Sequence, residues 1–363
     1  MSEASGGSSK PGMLRHGGWR MQELGLVAVV VLLGALLVVA GYYNAGGRYS
    51  NLFLNFDNLF NGVATNMAIY AIMAVGMTVV IITGGIDISV GSIWALAALL
   101  TAWAIRVPLA RQAEGSLLGV VLPAMAVSLS VGLACGLVNG LLVVCLRLHP
   151  FIVTLGTMSI FRGFANVISP EKSLPGQGGV LPDAFTVRFM SYEFASGLRF
   201  TPMLVTLLVM VLGWIFLRNT RPGRETYAIG GNEEASRFAG LNVGMIKLRV
   251  YVISGLCAGI AGLVSLGRFG AVSTNSGTGD ELMVVASAVV GGASLMGGRG
   301  TALGALLGAL VIQLIDNGIF VVGMNQEYKS IIIGSAIVVA VAVDRFSELL
   351  RQRRLVMAAA ADK

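Results

Sequence analysis

Asn58-Leu-Phe-Asn-Gly-Val-Ala-Thr-Asn-Met-Ala-Ile-Tyr-Ala-Ile-Met-Ala-Val-Gly-Met-Thr-Val-Val-Ile-Ile-Thr83 runs without a single Asp, Glu, Lys or Arg. A helix needs about 20 mostly apolar residues to cross the hydrocarbon core of a bilayer, because every backbone amide must there be satisfied without water. This run is long enough. Moving outward, residues 24–43, 88–105, 116–146, 200–217 and 250–267 repeat the signature, while 150–169 is interrupted only by Arg162 and 300–322 only by Asp316. Two weaker segments complete the set: 282–298, which is rich in glycine, and 329–344, which is bounded by Lys329 and Asp344. The pattern predicts an all-α polytopic membrane protein of about ten transmembrane helices. Composition agrees, with 55% hydrophobic and 12% charged residues in 363, where a soluble chain carries about 25% charged.

The formal charge of +7 is informative through its distribution. Ten spans place both termini on one side. With the termini inside, the inner segments hold 16 Lys and Arg and the outer segments 8, which predicts cytoplasmic termini by the positive-inside rule. The excess charge then reads as a topology signal and an attraction to anionic lipid headgroups, not as a nucleic-acid footprint. The tail at 1–23 is rich in Ser and Gly and reads as disordered, and the basic segment at 346–363 as a second cytoplasmic tail. The first apolar run is longer than a signal-peptide core and lacks a small-residue cleavage site, so it reads as an uncleaved span.

Residues 170–199 form a long outer loop with Pro175, Gly176, Gly178, Gly179 and Pro182. The inner connection at 218–249 carries more. It reads as a turn, a short extended stretch and then a helix of about eight residues, with Asn232 as N-cap, Glu233 and Glu234 in the first turn, and Gly240 as terminator. Ala235, Phe238 and Ala239 form its small apolar face. A helix this short is marginal alone, so it needs a surface to rest on, either the bundle itself or a groove on a soluble partner.

Glu234-Ala235 followed by Arg237 and Gly240 resembles the coupling loop of ATP-binding-cassette importer permeases. The run Gly76-Met-Thr-Val-Val-Ile-Ile-Thr-Gly-Gly-Ile-Asp-Ile-Ser-Val-Gly-Ser92 is similar to the hallmark of the ribose/monosaccharide branch of that family. So are Val138-Asn-Gly-Leu-Leu-Val143, Pro150-Phe-Ile-Val-Thr-Leu-Gly156, Gly230-Gly-Asn232 and Met296-Gly-Gly-Arg-Gly-Thr301. The likeness extends over about residues 55–345. It implies a type II importer permease fold, a bacterial inner-membrane location and a second permease copy. It also implies a separate cytoplasmic ATPase docked through Glu233, Glu234, Ala235, Arg237 and Gly240, and a periplasmic or extracellular sugar-binding protein. No cofactor is implied. The chain contains no G-x-x-x-x-G-K-[ST] phosphate loop, so hydrolysis of ATP would belong to another chain.

Polar groups inside the spans are the remaining candidates. Asp87 and Ser89, with Thr83 just before the break at Gly84, suit either an N-cap after a helix break or an irregular segment lining a path. Asn139 and Thr154 are candidates to line that path, although such residues more commonly join helices. Arg162 and Asp316 fall in the outer halves of their spans, where they either snorkel or bond locally, or meet as a pair at an outer gate. Gly132, Gly136 and Gly140, and Gly300, Gly304 and Gly308, form stripes that permit close helix packing. Glycine-rich breaks at Gly84–Gly91 and Gly291–Gly300 occupy comparable places in the two halves, as inverted repeats do.

Other functions are less well supplied. An ion-coupled carrier would draw on several carboxylates in the core, and Asp316 alone lies clearly within a span. An intramembrane enzyme needs converging catalytic groups, yet His16 and His149 both fall at the inner edge and no H-E-x-x-H occurs. Cys135, Cys145 and Cys257 sit in apolar runs with no metal-binding spacing.

Overall fold

The computed structural model describes residues 17–44, 51–108, 116–169, 171–176, 179–192, 199–339, 341–342 and 345–346. Most of the two expected tails therefore lies outside the described residues. The chain forms α1 (Gly17–Asn44), α2 (Thr65–Ile82, entered through a π-helical turn at Asn58–Ala64), α3 (Val90–Ile105), α4 (Leu117–Cys145) and α5 (Pro150–Ile168). A short α6 (Asp183–Phe185) precedes α7 (Thr201–Asn219), α8 (Arg221–Gly231), α9 (Glu233–Phe238), α10 (Val243–Phe269), α11 (Asp280–Val290) and α12 (Ala302–Val322). A last apolar helix, α13, spans Tyr328–Val339. The strands are two-residue pairs: β1 (Val107–Pro108) with β3 (Gly179–Val180), and β2 (Ser173–Leu174) with β4 (Val272–Ser273), both antiparallel.

Seven of these helices are long and apolar enough to cross a membrane. The other three expected spans are shorter. The run at 282–298, expected as one span, is helical only as α11 and then leaves helical geometry through left-handed Gly292, Gly297 and Gly298 before α12 begins. Glycine has low helix propensity and no Cβ to oppose a positive φ, so the apolar run turns back instead of continuing.

Helices α2 and α10 form the centre. Most of α2 is buried, and α10 packs against α4, α2 and α3. Around them, α1, α4, α5 and α7 present Val31, Leu32, Leu118, Leu122, Ile152, Val167, Leu204 and Leu208 outward. An apolar exterior of this extent is incompatible with water and suits lipid or a second membrane chain. The first glycine stripe does what its spacing predicts. A Cβ on Gly132 would stand 2.3 Å from the Gly255 carbonyl oxygen, and one on Gly136 2.5 Å from that of Tyr251, so α4 and α10 meet backbone to backbone. Gly132→Leu is expected to lower stability by about 3 kcal/mol, at the upper end of overpacking costs, because the clash is with backbone that cannot rotate away. Thermal unfolding in lipid nanodiscs checks this.

The second stripe joins α12 to α11. Gly304 and Gly308 approach the carbonyl oxygens of Gly291 and Ser287. The two glycine-rich breaks, expected as counterparts of inverted halves, instead lie together at one end, where the Gly298 amide donates to the Ile82 carbonyl at 2.8 Å. Inversion sends counterparts to opposite faces, so these two are not related in that way. A better match to the α2–α3 connection is the α10–α11 connection. Each follows a long buried helix, turns through left-handed glycine (Gly84; Gly277 and Gly279), and reaches an aspartate, Asp87 just before the N-cap of α3 or Asp280 at the first position of α11.

Candidate functional site

The connection at 218–249 is more ordered than a turn and an extended stretch. Residues 221–231 are helical as α8, a correction to the expected extended segment. The reason is local. The Thr220 side chain accepts from the Gly223 amide, Pro222 sits in the first turn, and Arg221 pairs with Glu225 one turn on at 2.8 Å. α9 follows at once and is six residues long. The Asn232 side chain accepts from the Ala235 amide at 2.9 Å, as expected of an N-cap. At the other end Gly240 has φ +82°, and the Leu241 amide reaches back to the Ser236 carbonyl, closing a Schellman turn.

α9 is anchored by charge on one side. Glu233 accepts from Lys247 of α10 at 2.8 Å and from Arg237 at 3.3 Å. Glu234 makes no such contact among the described residues, and Phe238 is 90% exposed. The small apolar face expected at Ala235, Phe238 and Ala239 thus projects its aromatic ring away from the bundle.

α8 touches the membrane helices closely. At Gly230 a Cβ would lie 1.7 Å from the Ile82 carbonyl oxygen and 2.5 Å from the Gly298 amide nitrogen. Three backbone segments therefore converge there: α8, the end of α2 and the turn after α11. The Tyr227 hydroxyl donates to the Gly300 carbonyl at 2.7 Å. Burial pushes this phenol up to about 12, so it keeps its proton and remains a donor at neutral pH. Ile229 packs with Val243 and Ile246 of α10.

Beyond the Ile82 turn lies a closed polar cluster. The Asp87 carboxylate accepts from the Ser89 amide at 3.1 Å, the Ser89 hydroxyl at 2.6 Å, the Ser254 hydroxyl at 2.8 Å and the Asn139 amide at 3.4 Å. Asn139 also donates to Ser89 Oγ at 2.7 Å. Asp87, Ser89 and Asn139 are fully buried, and Thr154, also fully buried, donates to the Ile86 carbonyl at 3.3 Å. Four expected candidates, Asp87, Ser89, Asn139 and Thr154, are thus brought to one place from α4, α5 and the α2–α3 connection. Ser89 occupies the N-cap position of α3 without capping through its own side chain; Asp87 takes the Ser89 amide instead. Thr83 stays apart, donating to Val80 within the last turn of α2.

Ser254 and Tyr251 of α10 complete the cluster and were not evident in the sequence. Tyr251 approaches the Ile86 carbonyl at 3.5 Å. Hydropathy tolerates an isolated serine, and the available signal was the three-residue spacing of Tyr251 and Ser254 on one helix face. Asp87→Ala strands several buried donors, whereas Asp87→Asn retains an acceptor of the same size. The expected loss of stability is about 3 kcal/mol or more for the first and smaller for the second, as read by thermal unfolding in nanodiscs.

Arg162 and Asp316 do not meet. Arg162 donates to the Thr274 carbonyl at 3.0 Å and to that of Ser276, holding the turn after β4, while Asp316 pairs with Lys329 at 2.8 Å. Local bonding thus prevails over a direct pair at this end of the bundle, which is opposite to α8. The reciprocal amide pair of Asn58 and Asn317 at 2.8 and 3.1 Å also ties that end.

Similarity to known proteins agrees with this architecture. The family model described as branched-chain amino acid transport system / permease component matches residues 59–341. The chain is 36% identical to the ribose import permease of Escherichia coli K12 over 329 residues, 90% of this chain and 94% of that protein. It is 36% identical to the D-allose transport system permease of the same organism over 312 residues, covering 85% and 89% of the two chains. It is 32% identical to the fructose import permease of Rhizobium meliloti over 323 residues, covering 88% and 85%. With long apolar helices around a glycine-packed centre and a family match across most of its length, this chain belongs to the transport-system permease family that includes those importers.

Proposed function

We propose that the protein is the membrane-spanning subunit of a sugar importer that receives its substrate from a binding protein and is driven by a separate ATPase gripping α9. The substrate class is a monosaccharide or polyol, in keeping with the ribose, allose and fructose import permeases it resembles. The α8–α9 end and both chain termini face the cytoplasm, and the opposite end receives sugar from outside. Two copies pair in the bacterial inner membrane.

The observation that carries this reading is the placement of Phe238. It is an exposed aromatic residue on a doubly capped short helix, and the adjoining helix reaches the two glycine-rich turns through Gly230 and Tyr227. Aromatic residues exposed in this way anchor protein interfaces. A rigid lever of this kind turns a motion of the ATPase into alternate opening of the two ends. The cluster around Asp87, immediately beyond the Ile82 turn, ties α3, α4 and α10 and serves as the inner latch. An ion-coupled carrier is disfavoured, since Asp87 and Asp316 are both occupied by partners within the chain.

Reconstitution tests the division of labour. The purified chain alone should not concentrate sugar in proteoliposomes, and adding its ATPase, ATP and binding protein should restore accumulation. Glu234→Lys combined with Gly240→Asp should abolish uptake while the chain remains inserted. Accumulation by the permease alone would overturn the reading.

A further inference from the structure

A cavity of about 550 Å³ opens at the end of the bundle opposite α8. It lies between α2, α3, α12 and the turn joining α10 to α11. Asn66, Tyr70, Trp94, Asp280, Gln313 and Asp316 supply its main chemistry. None of these takes part in the coupling helices or the Asp87 cluster.

The polar groups are held in position by bonds within the chain. The Tyr70 hydroxyl donates to Asp280 at 3.2 Å. Asn66 and Gln313 each donate to the Gly62 carbonyl, at 2.7 and 3.4 Å, which sets the two side-chain amides toward one carbonyl from facing helices. Asp316 is engaged by Lys329 at 2.8 Å. Prior orientation of this kind lowers the ordering cost of binding.

The chemistry selects the ligand. A carboxylate only accepts hydrogen bonds, while side-chain amides and phenols both donate and accept, so the set matches a molecule bearing several hydroxyls. The indole and phenol rings add flat apolar surface for the C–H face of a sugar ring, and a few convergent polar groups within a largely apolar lining are the usual form of a small-molecule site. The residues lining the cavity include no Lys, Arg or His. Lys329 is already paired with Asp316, so an amino acid's carboxylate would meet Asp280 and Asp316 with no cation in the lining to receive it, and the lining suits uncharged hydroxyls better than a zwitterion.

We propose that this cavity is a receiving site for a monosaccharide, with Asp280 accepting hydroxyl hydrogens and Trp94 and Tyr70 covering the ring. The proposal rests on the sugar-importer reading and extends it by placing a first stop for the sugar within the single chain, at the face where a binding protein would release it.

The test uses the full chain in lipid nanodiscs with Trp19→Phe, Trp103→Phe and Trp214→Phe, leaving Trp94 as its sole indole. Titration with D-ribose, D-allose, D-fructose and L-leucine should give a saturable change in emission with at least one sugar in the millimolar range, and none with leucine. Asp280→Asn should raise the half-saturating concentration about tenfold or more, as expected for loss of a charge-assisted hydrogen bond. Tyr70→Phe should weaken binding less, and it provides a second reading if Asp280→Asn fails to fold. Silence with all three sugars, saturation by leucine, or unchanged half-saturation in both variants would overturn the site. Uptake of the same sugars by cells carrying the complete transport system separates the two readings. Uptake with a silent Trp94 removes the site and leaves the importer, whereas absence of uptake for all three sugars removes both.

Discussion

Phe238→Asp is expected to reduce ATP-driven uptake by about a hundredfold while leaving the permease folded and inserted, the scale of loss seen when an interface anchor is removed. Phe238 is 90% exposed in the single chain, so the replacement breaks little within the bundle. The expected change in its own stability is within about 0.5 kcal/mol, as for other surface substitutions. Damage would instead fall on the interface, where a carboxylate would have to be desolvated in the groove that receives the ring. Co-purification of the ATPase should fail in parallel with uptake, and Phe238→Leu should recover much of both. Normal uptake by Phe238→Asp would remove α9 from the coupling path.

Gly230→Val should separate docking from transport. Its Cβ would lie 1.7 Å from the Ile82 carbonyl oxygen and 2.5 Å from the Gly298 amide nitrogen, so α8 would have to withdraw from both turns. The neighbouring Gly231 provides a control, since a Cβ there meets nothing within 4 Å. Gly231→Ala is therefore expected to transport normally. Gly230→Val should still co-purify with the ATPase, because the exposed face of α9 is unchanged, yet lose uptake by about tenfold or more through a clash worth about 1–3 kcal/mol at the junction. Uptake and co-purification measured side by side check this. Equal behaviour of the two variants would mean that the close approach at Gly230 does not transmit motion.

α9 was legible in sequence because its signals are local. Asn232, Glu233, Glu234 and Gly240 act within a few residues of one another, and the capping bonds form where the spacing places them. α8 was not legible, since glycines at 223, 230 and 231 and Pro222 resemble a loop when read alone. Its helix is supported by tertiary contact of Ile229 with Val243 and Ile246 and by the Tyr227 bond to Gly300. Tertiary support of this kind commonly outweighs residue propensity.

Hydropathy and charge counts, both sums over a continuous stretch of chain, identified the chain by themselves as a helical membrane protein. The capped helix between 232 and 240 and the two glycine stripes also followed, because their meaning depends on spacing along one helix. Tertiary structure alone decided which partners the intramembrane polar groups take. Arg162 goes to the carbonyls of Thr274 and Ser276, Asp316 goes to Lys329, and Asp87 gathers Ser254 from a helix more than a hundred residues away. It also brought the two glycine-rich turns to one end. In a nonpolar interior each buried polar group must find a partner, and the choice depends on which helices pack beside it, a relation that no local pattern encodes.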